Sequence, residues 1–342
     1  MDIGHRPMLS RDVGECAAII AGHPVNGLRY ADGASELELA WGSLLGCEAF
    51  RAVVFEDRDG PGTRLAGAGV SVFVRDEFLV EMKSPPLRWV GPELARRVTR
   101  GQSPLLSDRE VRAANADAGL NLLVWDAALR DEYRNLEAPH KAVFTAFAEE
   151  HRGFRLKELL AQAAELEQLE GMIRSGGALL APDGSYCDRT DVSLREVLGG
   201  PHFLGMTRDL ALQRFGTWIG MLFHHQVPQF GFRPSEQRLL LAALRGGTDE
   251  ELSAELGVSL SGVKKTWLAV YERAAARLPR VLGADSRGRE ATERGKEKKA
   301  RLLTYLREHP EELRPASPQA LPRRAGSRAR SPSRAPRTVR GA

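Results

Sequence analysis

The sequence predicts a multidomain chain: an N-terminal mixed α/β (α+β) domain, then an all-α helix-turn-helix domain, then a disordered basic tail. Three observations predict it. The first two thirds alternate β-branched and aromatic runs with stretches of helical period. Phe232 to Arg273 packs three helical segments around a Gly-Gly break and a short polar turn. Beyond Leu313 the chain is rich in Pro, Ala, Ser and Arg and holds no Asp or Glu.

In chain order, Ala52–Glu56 (AVVFE) reads as a strand that turns through Asp59-Gly60-Pro61-Gly62. Arg64–Arg75 (RLAGAGVSVFVR) is a second strand, and its glycines point to a bulge or a close backbone approach. Leu120–Trp125 (LNLLVW) is a third. Helices fall at Ser35–Leu45 and Pro92–Arg100. A longer helix, or a pair broken at Gly153, runs from His140 to Leu169. Ala178–Ala181 is a short strand before the Asp183-Gly184 turn, and Ser193 to His225 reads as mostly helical. Residues 1–225 thus form an α/β unit without a sustained βαβ rhythm, with a sensory or oligomerisation role expected.

The C-terminal region is more explicit. Pro234 suits a first helical position, and the Leu- and Ala-rich segment Ser235 to Arg245 is stopped by Gly246-Gly247. Thr248-Asp249-Glu250-Glu251 has the form of a capping box, with its acids where the helix dipole favours them. Gly257 ends that second helix and Ser259 caps a third. Val263, Trp267, Val270, Tyr271 and Ala274 make one buried stripe at helical period, which leaves Ser261, Lys264, Lys265 and Arg273 elsewhere on the cylinder. A short helix, a tight turn and a longer helix is the geometry that enters a DNA major groove. The same layout also serves as a three-helix bundle for protein contact.

This stretch resembles the LuxR/FixJ-type (GerE-like) helix-turn-helix module of bacterial transcription regulators. Pro234, Glu236, Gly246, Thr248, Glu251, Leu252, the Leu256-Gly257-Val258-Ser259 turn, Val263-Lys264 and Tyr271 carry the resemblance. It implies that Lys264 and Lys265 contact DNA and that Ser259 and Ser261 hold phosphates, with Thr248, Arg233 and Arg273 beside them. Leu260-Ser261-Gly262 departs from the usual start of the recognition helix, Arg233 stands where a capping threonine is expected, and Trp267 replaces a leucine.

Composition sets the outer limits. Hydrophobic residues at 42% and charged residues at 27% describe a protein with a real core. No apolar run is long enough to span a membrane, and the N-terminus, with Asp2, Asp12 and Glu15, makes a poor signal peptide. A cytoplasmic location is expected. Three cysteines, Cys16, Cys47 and Cys187, are far apart and read as reduced core thiols. The net charge of +4 conceals a basic tail, because eight arginines from Arg314 onward leave the rest of the chain acidic. That tail, residues 314–342, is either an electrostatic arm for nucleic acid or a solvated end. Between module and tail, residues 289–313 carry Leu302, Leu303, Tyr305 and Leu306 on one stripe. This amphipathic helix either packs on the module or pairs with a second copy.

Catalytic motifs are scarce. There is no P-loop, no dinucleotide fingerprint and no phosphoacceptor pattern. His202, His224 and His225 lack a partner acid or Cys at helical spacing, so no metal is expected. Trp41, Trp89, Trp125 and Trp218 are expected in a core. The order of elements, with Arg152-Gly153 placed at a helix start, resembles an acetyltransferase of the GNAT type, whose backbone amides bind a cofactor pyrophosphate; the glycine spacing of that type is missing here. The expectation is therefore a non-enzymatic, sequence-specific regulator that binds double-stranded DNA as a homodimer without a cofactor. Its N-terminal domain is open to a small-molecule effector. The competing expectation is a GNAT-type acyltransferase, or a protein-interaction protein, with an accessory helical module.

Overall fold

The computed structural model describes all residues except 28, 31–32, 60–61, 63, 164–165, 182, 188–199, 215, 283–290 and 316–342. Four strands open one eight-stranded sheet: β1 (Ile3–Pro7), β2 (Phe50–Asp57), β3 (Arg64–Val74) and β4 (Leu120–Leu129), each antiparallel to the last. The pattern then changes. β5 (Leu156–Ala163) runs parallel to β4, and the sheet continues antiparallel through β8 (His202–Thr207) and β6 (Ala178–Leu180) to β7 (Tyr186–Cys187). A parallel pair needs a crossover, and α7 (Glu137–His151) supplies it.

Helices cover both faces, and the alternation along β2 shows which covers which. Val54 points to one core with α1 (Val13–Gly22) and α3 (Ala34–Leu44); the short α2 (Pro24–Gly27) joins them. A long connection between β3 and β4 adds α4 (Asp76–Lys83), α5 (Val90–Thr99) and α6 (Asp108–Ala116), and α5 packs against α3. Val53 and Phe55 point the other way, to Tyr133 and to Ala146 of α7. On that second face α8 (Leu166–Arg174) covers β5, β6 and β8. The domain closes with α9 (Arg208–Gln213) and α10 (Trp218–Met221).

The remaining helices form a second apolar cluster. α11 (Pro234–Leu244), α12 (Asp249–Leu256) and α13 (Leu260–Arg277) bury Leu239, Leu240, Leu252, Val263, Trp267 and Val270 together. The local signals hold: Thr248 completes a capping box, Gly257 is left-handed at φ 64°, and Ser259 caps α13. The stripe of Leu302, Leu303 and Leu306 on α14 (Ala291–Glu308) is buried in this same cluster, so it packs in cis.

Several expectations are corrected. The stretch from His140 to Leu169 is not a helix or a helix pair, because β5 lies in its middle. LKELLAQA has helix-forming residues, but between β4 and β8 its backbone is held by two neighbours, and tertiary pairing overrides propensity. Ser193 to His225 contains β8, with residues 193–199 outside the described part. Short β1 has no strand signal of its own. Cys16 and Cys187 are at least half-buried, whereas Cys47 is exposed. Most of the basic tail lies outside the described residues; Arg314 is described, and it is half-buried.

Candidate functional site

The parallel pair is short. β4 and β5 are in register from Leu120↔Leu156 to Leu123↔Leu160, and beyond those residues they no longer pair. Val124 to Leu129 on β4 and Ala161 to Ala163 on β5 therefore face an opening at the C-terminal ends of two parallel strands. Ligands in α/β sheets settle at such ends. A bulge marks the divergence. Val70 pairs with Asp126 but Ser71 pairs with Val124, so Trp125 is an extra residue in β4. Its ring sits edge-on to Trp41 and Phe50, which anchors the bulge in the first core.

The bulge sets Asp126 toward the α5 face, where it is buried. The Tyr30 hydroxyl donates to its Oδ2, and Arg29 Nη1 stands 3.5 Å from its Oδ1. Burial pushes the Asp126 carboxyl up to about 6, against the Tyr30 and Arg29 contacts that lower it. Burial and the neighbouring carboxylate hold the Tyr30 phenol well above its ordinary range, so it stays a donor. Arg29 also lies 4.1 Å over the Trp89 ring. Helix α5 presses close here because Gly91 has no side chain: a Cβ would stand 2.1 Å from the Tyr30 hydroxyl and 2.6 Å from Asp126 Oδ2.

Across the opening, Gln162 of β5 accepts from the Val90 amide at 2.7 Å and donates to the Arg88 carbonyl at 2.7 Å. The same strand carries buried Glu158, which accepts from Lys83 Nζ at 2.9 Å and from the Tyr186 hydroxyl. Under α7 lies a second buried pair beside a cavity of about 40 Å³. His151 Nδ1 donates to the Phe147 carbonyl at 2.7 Å, so Nε2 accepts from the Ser71 hydroxyl at 2.7 Å. Burial drives the His151 pKa down to about 4 and keeps the ring neutral.

The residues expected at DNA are placed as follows. Thr248 and Ser259 accept from the Glu251 and Gly262 amides as caps, and Ser259 shares a hydrogen bond with Ser261. Arg273 is paired with buried Glu236 at 2.9 Å, and the Arg233 amide donates to that same carboxylate. Lys264 and Lys265 are exposed side by side. Three acids, Asp249, Glu250 and Glu251, occupy the first turn of the preceding helix. Most of the polar set is thus engaged inside the module. Among the described residues no group of three His, Cys, Asp or Glu could hold a metal ion. His225 Nδ1 is bonded to the Gly153 carbonyl at 3.1 Å. Arg152-Gly153 stands at the C-terminal end of α7, not at a helix start.

No protein family matches the chain, and no curated protein does. Among solved structures it is similar to the NatC complex bound to Gag peptide and CoA, at 13% identity and TM-score 0.30, covering 60% of this chain and 99% of that one. It is also similar to aminoglycoside acetyltransferase AAC(6')-Ib in complex with coenzyme A and kanamycin. There the identity is 12% and the TM-score 0.32, covering 63% and 99% of the two chains. These solved structures are acetyltransferases and none is a LuxR/FixJ-type regulator, and the expectation of such a regulator is corrected accordingly. The double-stranded DNA partner and the exclusion of enzyme activity are corrected with it. No helix among the described residues is long and apolar enough to cross a membrane.

Proposed function

We propose that the N-terminal domain is an acyltransferase of the GNAT type that moves an acyl group from a coenzyme A thioester to an amine. The observation that carries this reading is the opening between β4 and β5 with Asp126 on its α5 side. The inner edges of two diverging parallel strands present N–H and C=O groups with no partner in each other. An extended arm containing amides is what such edges accept. The chemistry of this donor set fits the pantetheine arm, and the bound thioester would supply the activated acyl group.

This chain's own residues then have definite parts. Asp126 is the proton acceptor for the attacking amine. With a pKa of about 6 it is ionised at neutral pH yet basic enough to take a proton. Tyr30 holds one of its oxygens and Arg29 sits near the other. Trp89, Val90 and Gly91 shield the carboxylate from water, with Gln162 tying them to β5. The backbone cradle that the family uses for pyrophosphate is not repeated. The turn at residues 130–136 has no glycine, Pro139 removes an amide from the first turn of α7, and Glu137 adds a negative charge there.

The test is calorimetric titration of the full chain with acetyl-coenzyme A, followed by thiol release against a panel of primary amines. Asp126→Asn is expected to keep binding and lose at least about 100-fold in turnover, the usual worth of a general base. A full chain that neither binds acetyl-coenzyme A nor releases thiol would end the reading.

A further inference from the structure

One face of α7 is used by neither the core nor the Asp126 site. It lines an open groove of about 620 Å³ whose opposite wall is Trp218. Phe144 is 44% exposed and meets the Trp218 ring edge-on at 5.1 Å, so the groove has an aromatic platform open to solvent. His140 and Lys141 lie one turn before it and have no ion-pair partner among the described residues. Of the two acids in the groove, Glu149 is paired with His5 at 2.9 Å, and Glu137 sits at the extreme N-terminal end.

This combination suits a planar base joined to an anion a short distance away. Lys141 and Phe144 are about 4.5 Å apart along the helix axis, the scale that separates a nucleobase from its own phosphates. The ring platform supplies stacking, Lys141 supplies charge and the His140 ring a hydrogen-bonding group. The groove also leads toward the N-terminal end of α7, where the chain returns from β4 and the opening lies. Resting on the acyl-transfer reading, the geometry points to this groove as the seat of the nucleotide end of coenzyme A. The base stacks on Trp218 with Phe144 standing edge-on beside it, and the phosphates meet His140 and Lys141. Side chains, with Lys141 as the cation, thus do what backbone amides do elsewhere, which makes binding sensitive to salt.

The experiment titrates the full chain with adenosine 3′,5′-bisphosphate, which has the nucleotide end but no pantetheine arm, and in parallel with S-acetyl-pantetheine, which has the reverse. Lys141→Ala is expected to weaken the bisphosphate about tenfold, the worth of one charge-assisted hydrogen bond. Trp218→Leu should weaken both the bisphosphate and unphosphorylated adenosine, and neither change should alter S-acetyl-pantetheine binding. Trp218 also touches Phe147, so Lys141→Ala, whose side chain is exposed, keeps the test independent of folding. Bisphosphate binding that is missing, or indifferent to both substitutions and to salt, overturns the groove assignment. If S-acetyl-pantetheine and acetyl-coenzyme A still bind in that case, the acyl-transfer reading stands without it. If none of the three binds, both fall.

Discussion

Two buried side chains give opposite pH signatures. Asp126 has a folded pKa near 6 against an ordinary 3.8, so the folded state holds its proton more tightly. Stability from this group is greatest below about pH 4 and is lost as pH rises toward 6, by about 3 kcal/mol in all. His151 has a folded pKa near 4 against 6.5, so the unfolded state binds the proton first. Stability from it is lost as pH falls from about 6.5 to 4, by a similar amount. The two slopes oppose each other across most of one window. Removing one should expose the other. Asp126→Asn is expected to fold more stably at pH 7 and to lose stability steeply on acidification, whereas His151→Gln should flatten or reverse that limb. Urea titrations at pH 4.5, 5.5 and 7 check both; parallel curves for the three proteins would contradict it.

At the scale of elements, the close approach of α5 to the site rests on Gly91. Gly91→Ala places a methyl group where the Tyr30 hydroxyl stands. It should cost about 1–3 kcal/mol as overpacking and lower turnover by displacing Tyr30 from Asp126. Unchanged stability together with unchanged turnover would mean that α5 does not bear on the site. Elements with a local signature were legible in the sequence. β2 and β3 announced themselves by β-branched runs, and α12 and α13 by caps that rest on single residues such as Thr248 and Ser259. β5 was not legible, since Leu, Ala, Lys, Glu and Gln only become a strand between β4 and β8. The site was hidden for the same reason. Asp126, Tyr30 and Gln162 come from three distant segments, and nothing marks any of them until the bulge at Trp125 and the crossover of α7 bring them together. The one sequence clue was the acid at Asp126 directly after the apolar run ending in Trp125, a charge set inside a strand that continues to Leu129.

Over the whole molecule, the helical module and the sheet domain meet at the turn between α7 and β5. Gly153 has φ 85° and no Cβ, and the backbone of Pro310 and Glu311 passes where a Cβ would be, 2.5 Å from the Glu311 amide. Arg314 reaches past it. Its guanidinium donates to the Glu149 carbonyl at 3.0 Å, lies 5.2 Å from the Phe154 ring centroid, and is attracted to Glu150. Gly153→Ala therefore combines a strained conformation with a clash at the junction, and a cost of about 1–3 kcal/mol is expected. Limited proteolysis should then release the module from the sheet domain sooner than in the parent protein. An unchanged digestion pattern would show that the junction does not hold the two parts together.

The antiparallel pairing of β5 with β8 also bears on how the chain is made. During synthesis β3 follows β2 within a few residues, whereas β1 waits for β2 and β3 waits for β4 across long helical connections that can cover their faces as they emerge. β5 appears by residue 163, but β8 does not begin until His202. Meanwhile one side of a hydrophobic central strand is an open edge, the kind of surface on which nascent chains stick to one another. A stop codon placed between β7 and β8 should thus yield insoluble protein, and one placed after Phe223 should yield a soluble domain. The stretch between β5 and β8 is thus one vulnerable interval in the making of this protein.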